Sequence, residues 1–373
     1  MTVEFIGYAG HNNSSETFAR KTGAIDPAFV ETVAKAHDYY GFDRVLVAFF
    51  SSSPDSLVVA QHVASVTRSL GLMVAHRPGF TAPTLAARQF ATLDQFCKGR
   101  VAVHFITGGN DTELAQDGDY LTKDERYART NEYIEVVRQE WTSPTPFDYT
   151  GKYYRVTRAF GDVKPWRDTG IPIYFGGVSD AALPVGAKHA DVYALWGETH
   201  EQTREMLARV RTAAAALGRA PRFSLSFRPV LSDTEEQAWA KADAILERAK
   251  TLRQATAGRS PLRHGMADNQ GPPNEGSRRL LAAAAKGPRL DKCLWTGMAA
   301  LTGAPGNTTG LVGTPDQVAD AMMDYYDMGI STFLIRGFDP LADAVQYGSE
   351  LLPRVRELVK ARDAENAKRQ AVA

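Results

Sequence analysis

Serines, threonines, histidines and arginines gather where apolar runs of this chain end. The stretches "FFSSSPD" (49–55), "VAHRPG" (74–79), "VHFITGGND" (103–111) and "YFGGVSD" (174–180) each pass from apolar into polar residues. Brought together, they would line one polar pocket. His76 and His104 sit at two of these ends, but no H-x-E or H-x-H pairing and no carboxylate at ligand spacing accompanies them, which argues against a metal. No G-x-S-x-G surrounds a serine, and the run Ser51, Ser52, Ser53 has no distinctive base beside it. Polar lining without a nucleophile points to a site whose chemistry belongs to a cofactor.

Two stretches leave alternatives open. "IPIYFGGVSDAA" (171–182) stops an apolar run on Gly-Gly and opens a helix on Ser-Asp. Either Ser179 or Asp180 caps that helix while glycine closes the turn, or the turn offers free backbone amides at the positive end of a helix dipole, which holds phosphate without any side chain. In "FSLSFRPV" (223–230) a period of two puts Phe223, Leu225 and Phe227 on one face and Ser224, Ser226 and Arg228 on the other. Arg228 is then a fixed cation suited to an anionic ligand, whose loss would cost turnover rather than stability, or a rim residue in a surface ion pair.

These residues meet only if the elements that carry them converge. Strand-like runs at 3–9, 44–50, 72–78 and 101–107 alternate with helical periods at 27–41, 55–71, 84–99 and 123–141. A hairpin turning on Gly151 (147–156) follows, and then strands at 171–177, 191–197, 223–231 and 332–338. Eight such units predict an α/β fold, a closed (β/α)8 TIM barrel formed by residues 1–373 as one domain, with its site at the C-terminal strand ends. An open doubly wound sheet would carry G-x-G-x-x-G after the first strand, where this chain has "YAGHNN", so no nicotinamide site is expected. The span 253–313, with "GRSPLRHGMADNQGPPNEGSRR", far exceeds an ordinary connection and reads as an insertion acting as a lid. The last helix, near 354–366, runs into "ENAKRQAVA", which is expected to fray.

Composition narrows the partners. Basic and acidic residues balance at 43 each without a long single-sign run, so neither nucleic acid nor an anionic membrane surface is expected. Cys97 and Cys293 lie far apart, outside any disulfide framework or thiolate zinc spacing, which suits a reducing cytoplasm. "MTVEFIGYAGHNN" lacks a basic-then-apolar leader, and no stretch approaches the roughly 20 apolar residues that span a bilayer. A soluble, cytoplasmic protein is the expectation.

Three stretches carry a family resemblance: "RPGFTAPTLAARQFATLDQFCKGRVAVHFITGGND" (77–111), "ERYARTNEY" (125–133) and "YFGGVSDAALPVGAKHADVYALWGETHEQ" (174–202). Their order and spacing resemble the bacterial-luciferase-like flavin-dependent monooxygenases, closest to the alkanesulfonate monooxygenase branch, over nearly the whole chain. The resemblance implies the barrel with an insertion lid and FMN, used as reduced FMNH2. By position it places Ser51 and Ser52 under the isoalloxazine ring and His104 and Thr107 at the ring and its tail. Tyr127, Gly177, Val178 and Ser179 match the phosphate pocket. Arg228, His104, Ser53 and Arg336 become the catalytic candidates. The implied partners are O2, a small-molecule substrate, a separate NAD(P)H:flavin reductase and further copies of the chain, as a homodimer or homotetramer. Departures fall on the substrate side: Ser53 replaces a cysteine of that branch, Ser226 and Arg228 an Arg-x-His, Thr302 an arginine and Phe338 a tyrosine. Either Arg228 and Arg336 rebuild an anion site for desulfonation, or the substrate is another small molecule such as a sulfone, an amine chelate or a heterocycle. A non-catalytic flavin-binding protein is the remaining reading.

Overall fold

The computed structural model describes residues 3–255 and 274–372. Eight parallel strands close into a barrel: β1 (Glu4–Tyr8), β2 (Arg44–Val47), β3 (Gly71–His76), β4 (Val101–Phe105), β5 (Ile173–Gly176), β6 (Val192–Trp196), β7 (Arg222–Phe227) and β8 (Ile330–Ile335). β1 closes the ring by pairing with both β2 and β8. All eight lie within the runs expected from the sequence apart from small shifts at their ends.

Alternation sorts each strand into an inward and an outward face. Ile6, Met73, Ala102, Tyr174, Val192 and Leu334 pack together inside the barrel. Their outward neighbours, among them Phe5, Val103, Phe105 and Phe175, join the main core with the surrounding helices. Phe223, Leu225 and Phe227 take the outward face, as the period of two predicts. At the N-terminal end Glu4 accepts Arg44 Nε at 2.6 Å and the Tyr174 hydroxyl at 3.0 Å, which plugs that end. The C-terminal strand ends are left as the mouth.

Local chemistry starts the helices where the sequence signals them. Asp26 caps Pro27–Tyr39 and Asp55 caps Ser56–Val66. Thr122 with Glu125, Thr199 with Gln202 and Thr314 with Gln317 form capping boxes on the helices Lys123–Thr142, His200–Ala215 and Pro315–Asp327. The hairpin pairs Phe147–Thr150 with Arg155–Ala159, and its turn is held by the Glu132 carboxylate, which accepts the amides of Lys152, Tyr153 and Tyr154.

Three expectations change. The run 223–231 breaks at Arg228–Pro229, since proline cannot donate to a ladder. Val230–Leu231 leaves the barrel for a small sheet with Gly310–Gly313, Leu294–Trp295 and Arg289–Leu290. The second half of the 253–313 insertion is anchored structure: Asn274 caps the helix Glu275–Ala284, Arg279 grips Glu198 through two 2.8 Å bonds, and Gly276 fits against Trp196, where a Cβ would come within 2.5 Å of the indole. The glycine- and proline-rich stretch 256–273, which carries most of the lid expectation, lies outside the described residues. The terminal helix runs Leu352–Val372, so the polar tail expected to fray continues the helix.

Candidate active site

The mouth has two halves. On β4, β5 and β6 the inward residues are His104, Gly176, Ala194 and Trp196, and each keeps part of its surface open, whereas the outward Phe105, Phe175 and Leu195 are buried. Gly176 lies beside Ala194 in register, and a Cβ on it would come within 3.1 Å of the Ala194 carbonyl and 3.5 Å of His104 Nε2. Glycine and alanine here make a floor with little side-chain bulk. His104 Nδ1 and the Ser226 hydroxyl are buried at its edge and find no hydrogen-bond partner among the described residues. Although the His104 ring meets the mouth, burial by the wall around it pulls its pKa down to about 4, so it is neutral near pH 7 and can donate from one nitrogen and accept at the other.

The floor leads to the turn after β5. Gly177 has φ +150°, and a Cβ there would meet the Ala182 Cβ at 2.7 Å and the Tyr127 hydroxyl at 3.0 Å. Only glycine fits. The Ser179 hydroxyl and carbonyl accept the Ala182 amide at 3.3 and 3.0 Å, bracing the turn before the helix Ala182–His189, whose N-cap position is Ala181. Asp180 turns away to Arg209 at 2.7 Å. Among the described residues the amides of Val178, Ser179 and Asp180 donate to no backbone carbonyl, and the Tyr127 hydroxyl lies beside the same turn. Neither Ser179 nor Asp180 takes the N-cap position, which falls to Ala181 without a side-chain bond, and Ser179 instead braces the turn from two residues before it.

Thr107 is buried behind the floor, its hydroxyl 3.2 Å from that of Thr130. Ser51 donates to the Glu113 carbonyl at 3.0 Å and accepts from Arg77 at 3.1 Å, while Arg77 also meets the Glu113 carboxylate at 2.9 Å and lies against the rings of Phe49 and Phe80. This ties the β2 end to the loop after β4. Ser52 is exposed on the same turn. Ser53 closes that turn, donating to the Phe50 carbonyl at 2.9 Å and accepting its amide at 3.0 Å. Its hydroxyl is committed there.

The other half of the mouth is a cavity of about 340 Å³ at the ends of β1, β7 and β8, with Tyr8, Glu16, Arg228, Arg336 and Thr302 in its wall. It shares no residue with the floor. Arg228 is 1% exposed, binds both carboxylate oxygens of Glu16 at 2.8 and 2.9 Å, donates to the Gly337 carbonyl at 2.9 Å, and stacks 3.6 Å from the Phe338 ring centroid. The rim reading of Arg228 does not hold, and its guanidinium, which lines the cavity, is paired with Glu16. Arg336 reaches the same carboxylate once, at 3.2 Å. Burial works to raise the Glu16 carboxyl, but the two guanidinium groups outweigh it and hold it far below the usual range. Thr302 spends its hydroxyl on the Met298 carbonyl at 2.8 Å.

The structure thus gathers His104, Gly177, Val178, Ser179 and Tyr127 on one side and Arg228 and Arg336 on the other. Glu16 escapes sequence reasoning: it sits in an irregular stretch and meets its partner 212 residues away, where no spacing signals it. Trp196 carries a weak signal, as the inward residue ending an apolar strand. Among the described residues no His, Cys, Asp and Glu group could hold a metal, and no helix is long and apolar enough to cross a membrane.

Among solved structures, the fold is similar to riboflavin lyase (RcaE), with modified FMN and riboflavin, at TM-score 0.77 and 19% identity over 96% of this chain and 92% of that one. It is similar to EDTA monooxygenase (EmoA) from Chelativorans sp. BNC1 at TM-score 0.74 and 19% identity, over 96% and 94%. An F420-dependent secondary alcohol dehydrogenase matches at TM-score 0.67 and 16% identity, over 95% and 99%. At these identities the likeness speaks for the fold alone. The sequence pattern of the luciferase-like monooxygenases, however, matches residues 7–332, and the chain belongs to that family.

Proposed function

We propose that the protein is the oxygenating half of a two-component monooxygenase, taking reduced FMN from a separate NAD(P)H:flavin reductase and using O2 to oxidise a small organic molecule. The observation that carries this reading is the open floor of Gly176 and Ala194 beside His104, continuous with a turn whose amides donate to no backbone carbonyl among the described residues. Its residues fit FMN. Gly176 and Ala194 would leave room for a flat ring system where any larger side chain would intrude, and the amides of 178–180 beside Tyr127 would suit a phosphate. His104 Nδ1 and the Ser226 hydroxyl, both without partners among the described residues, are placed to hydrogen-bond a ligand. When bound, reduced FMN supplies the electrons that activate O2. The protein's share is to position and to exclude water: neutral His104 donates or accepts without exchanging its charge, and the Arg77–Glu113–Ser51 contacts hold the β2 end against the loop after β4.

The narrower reading is desulfonation of an alkanesulfonate to an aldehyde and sulfite, with the second oxygen of O2 leaving as water. The committed hydroxyls of Ser53 and Thr302 and the burial of Phe338 under Arg228 favour the wider one, a sulfone, amine chelate or heterocycle, unless another cation receives the sulfonate. Self-association and a cytoplasmic setting belong to the same proposal. Anaerobic fluorescence titration with reduced FMN and, in parallel, reduced F420 tests it. Saturable binding of FMNH2 tighter than F420 is expected, with no NADH oxidation by the chain and FMN alone. Preference for F420, or NADH oxidation without a reductase, overturns it.

A further inference from the structure

The insertion runs along the ends of β6 and β7 through residues 303–309, and three bonds fasten it there. The Thr309 hydroxyl donates to the Gly197 carbonyl just beyond β6 at 2.7 Å, the Arg228 amide donates to the Thr309 carbonyl at 2.9 Å, and Thr308 closes a turn on the Gly306 carbonyl at 3.1 Å. The next residue, Gly310, lies against the Arg228 carbonyl, where a Cβ would come within 2.6 Å. Asn307 is thereby held at the end of β7. Its Nδ2 donates to the Phe227 carbonyl at 3.5 Å, and because a carbonyl can only accept, the amide nitrogen must face it and Oδ1 must face away. That Oδ1 is buried and has no partner among the described residues. The same holds for the hydroxyl of Ser226, the inward residue before Phe227, which is 6% exposed. Two unpartnered polar atoms thus flank one peptide unit at the mouth, an arrangement that is costly unless something else completes it.

The chemistry of the pair narrows what can do so. Neither group is charged, and the neighbouring Arg228 already has Glu16 on both terminal nitrogens. Asn307 Oδ1 can only accept, so it needs an N–H or O–H from outside, whereas the Ser226 hydroxyl can donate in return. A sulfonate or carboxylate, which only accepts, would set its lone pairs against Oδ1. An amide edge in the cis form, with N–H beside C=O in one plane, satisfies both atoms at once.

We infer that Ser226 and Asn307 form a recognition pair for an uncharged cis-amide edge, the N–H going to Asn307 Oδ1 and the C=O to Ser226 Oγ. Such an edge belongs either to a substrate, as a lactam or imide, or to the pyrimidine ring of the flavin, whose N3–H lies between two carbonyls. The inference rests on the proposed function in taking the barrel mouth as the ligand site, but its binding test needs no turnover.

Two pairs of probes that differ by one N-methyl group read it on the full-length protein. The first is reduced FMN against reduced N3-methyl-FMN, followed by anaerobic fluorescence titration. The second is δ-valerolactam against N-methyl-δ-valerolactam, followed by saturation-transfer NMR. In the wild type the N–H member of at least one pair is expected to bind at least about fivefold more tightly than its methylated partner: the flavin pair if the edge is the cofactor's, the lactam pair if it is the substrate's. Asn307→Leu, which keeps the size of the side chain without its acceptor, and Ser226→Ala should each bring that ratio to within about twofold of one, and Ser226→Thr, which keeps the hydroxyl, should restore it. A merely structural role would lower the melting temperature and weaken both members of a pair alike, leaving the ratio intact. A smaller wild-type ratio in both pairs, or a ratio that survives either Asn307→Leu or Ser226→Ala, overturns the inference. Failure of the wild type to bind reduced FMN counts against the proposed function, and the lactam pair then decides this inference by itself.

Discussion

Arg228 shows how much of a residue's setting strand alternation leaves out. The strand period turns it inward, as the alternation of 223–228 implies, but no local pattern could reveal that a glutamate from a distant irregular stretch would meet its fork. Two consequences can be measured. Arg228→Ala strips a buried, doubly bonded partner from Glu16 and empties the space over Phe338, so it should cost about 3–5 kcal/mol of stability, where a free substrate-binding cation would cost little. Urea unfolding of the two proteins checks this, and an unchanged midpoint would return Arg228 to the role of a free ligand-binding group. On the flavin side Gly176→Val should fill the floor between His104 and the Ala194 carbonyl and weaken FMNH2 binding at least tenfold, with the melting temperature shifted by no more than a few degrees. Gly177 is the poorer test, because its φ of +150° would strain any replacement whatever it does to phosphate. The floor and the turn after β5 were legible because their residues sit in one strand-turn-helix unit or end adjacent strands. The substrate side was not, because it is assembled from long-range contacts between irregular segments.

At the scale of elements, strands and helices followed from local signals. Asp26, Asp55 and the threonine capping boxes mark helix starts, and β-branched runs mark the barrel strands. The failures share a physical cause. Strands of two residues, such as Val230–Leu231 and Leu294–Trp295, exist only because a partner strand lies beside them, and two residues carry no period to read. The helix Glu275–Ala284 falls in the span read as lid, its sequence short and flanked by glycine and proline, and in this structure tertiary contacts hold it. The Arg279–Glu198 pair should dominate that anchoring. Burial raises the Glu198 carboxyl and Arg279 opposes the rise, so Arg279→Ala would leave a buried acid without its counter-charge. We expect the variant to lose about 3–5 kcal/mol and to be cut faster by trypsin at sites within 275–290. Cleavage at the wild-type rate would show that the helix is held by apolar packing of Leu280 alone.

At the scale of the whole molecule, the barrel is plugged at one end by Glu4 and open at the other, and its buried histidines set an acid limit. Burial lowers His37 and His76 to about 4, and burial together with nearby cations lowers His189 to about 3, against a usual 6.5. The unfolded chain therefore binds protons that the fold refuses, so the stability these groups contribute is whole above pH 6.5 and falls as pH drops toward 4, by up to ~1.4 kcal/mol per pH unit for each. Melting followed by circular dichroism should show a falling midpoint between pH 6.5 and 4.5, and a flat profile would mean these rings titrate normally. The central claim is oxygen transfer by a flavin borrowed from another protein. Its most direct measurement supplies FMN, NADH, a purified flavin reductase and ¹⁸O₂, offers n-alkanesulfonates and the matching alkyl methyl sulfones, and reads the products by mass spectrometry. The account predicts one ¹⁸O atom in an organic product, or in the aldehyde released with sulfite, only when both proteins are present. Unlabelled substrate recovered whole, with the consumed NADH accounted for by hydrogen peroxide at the rate of the reductase alone, would contradict it.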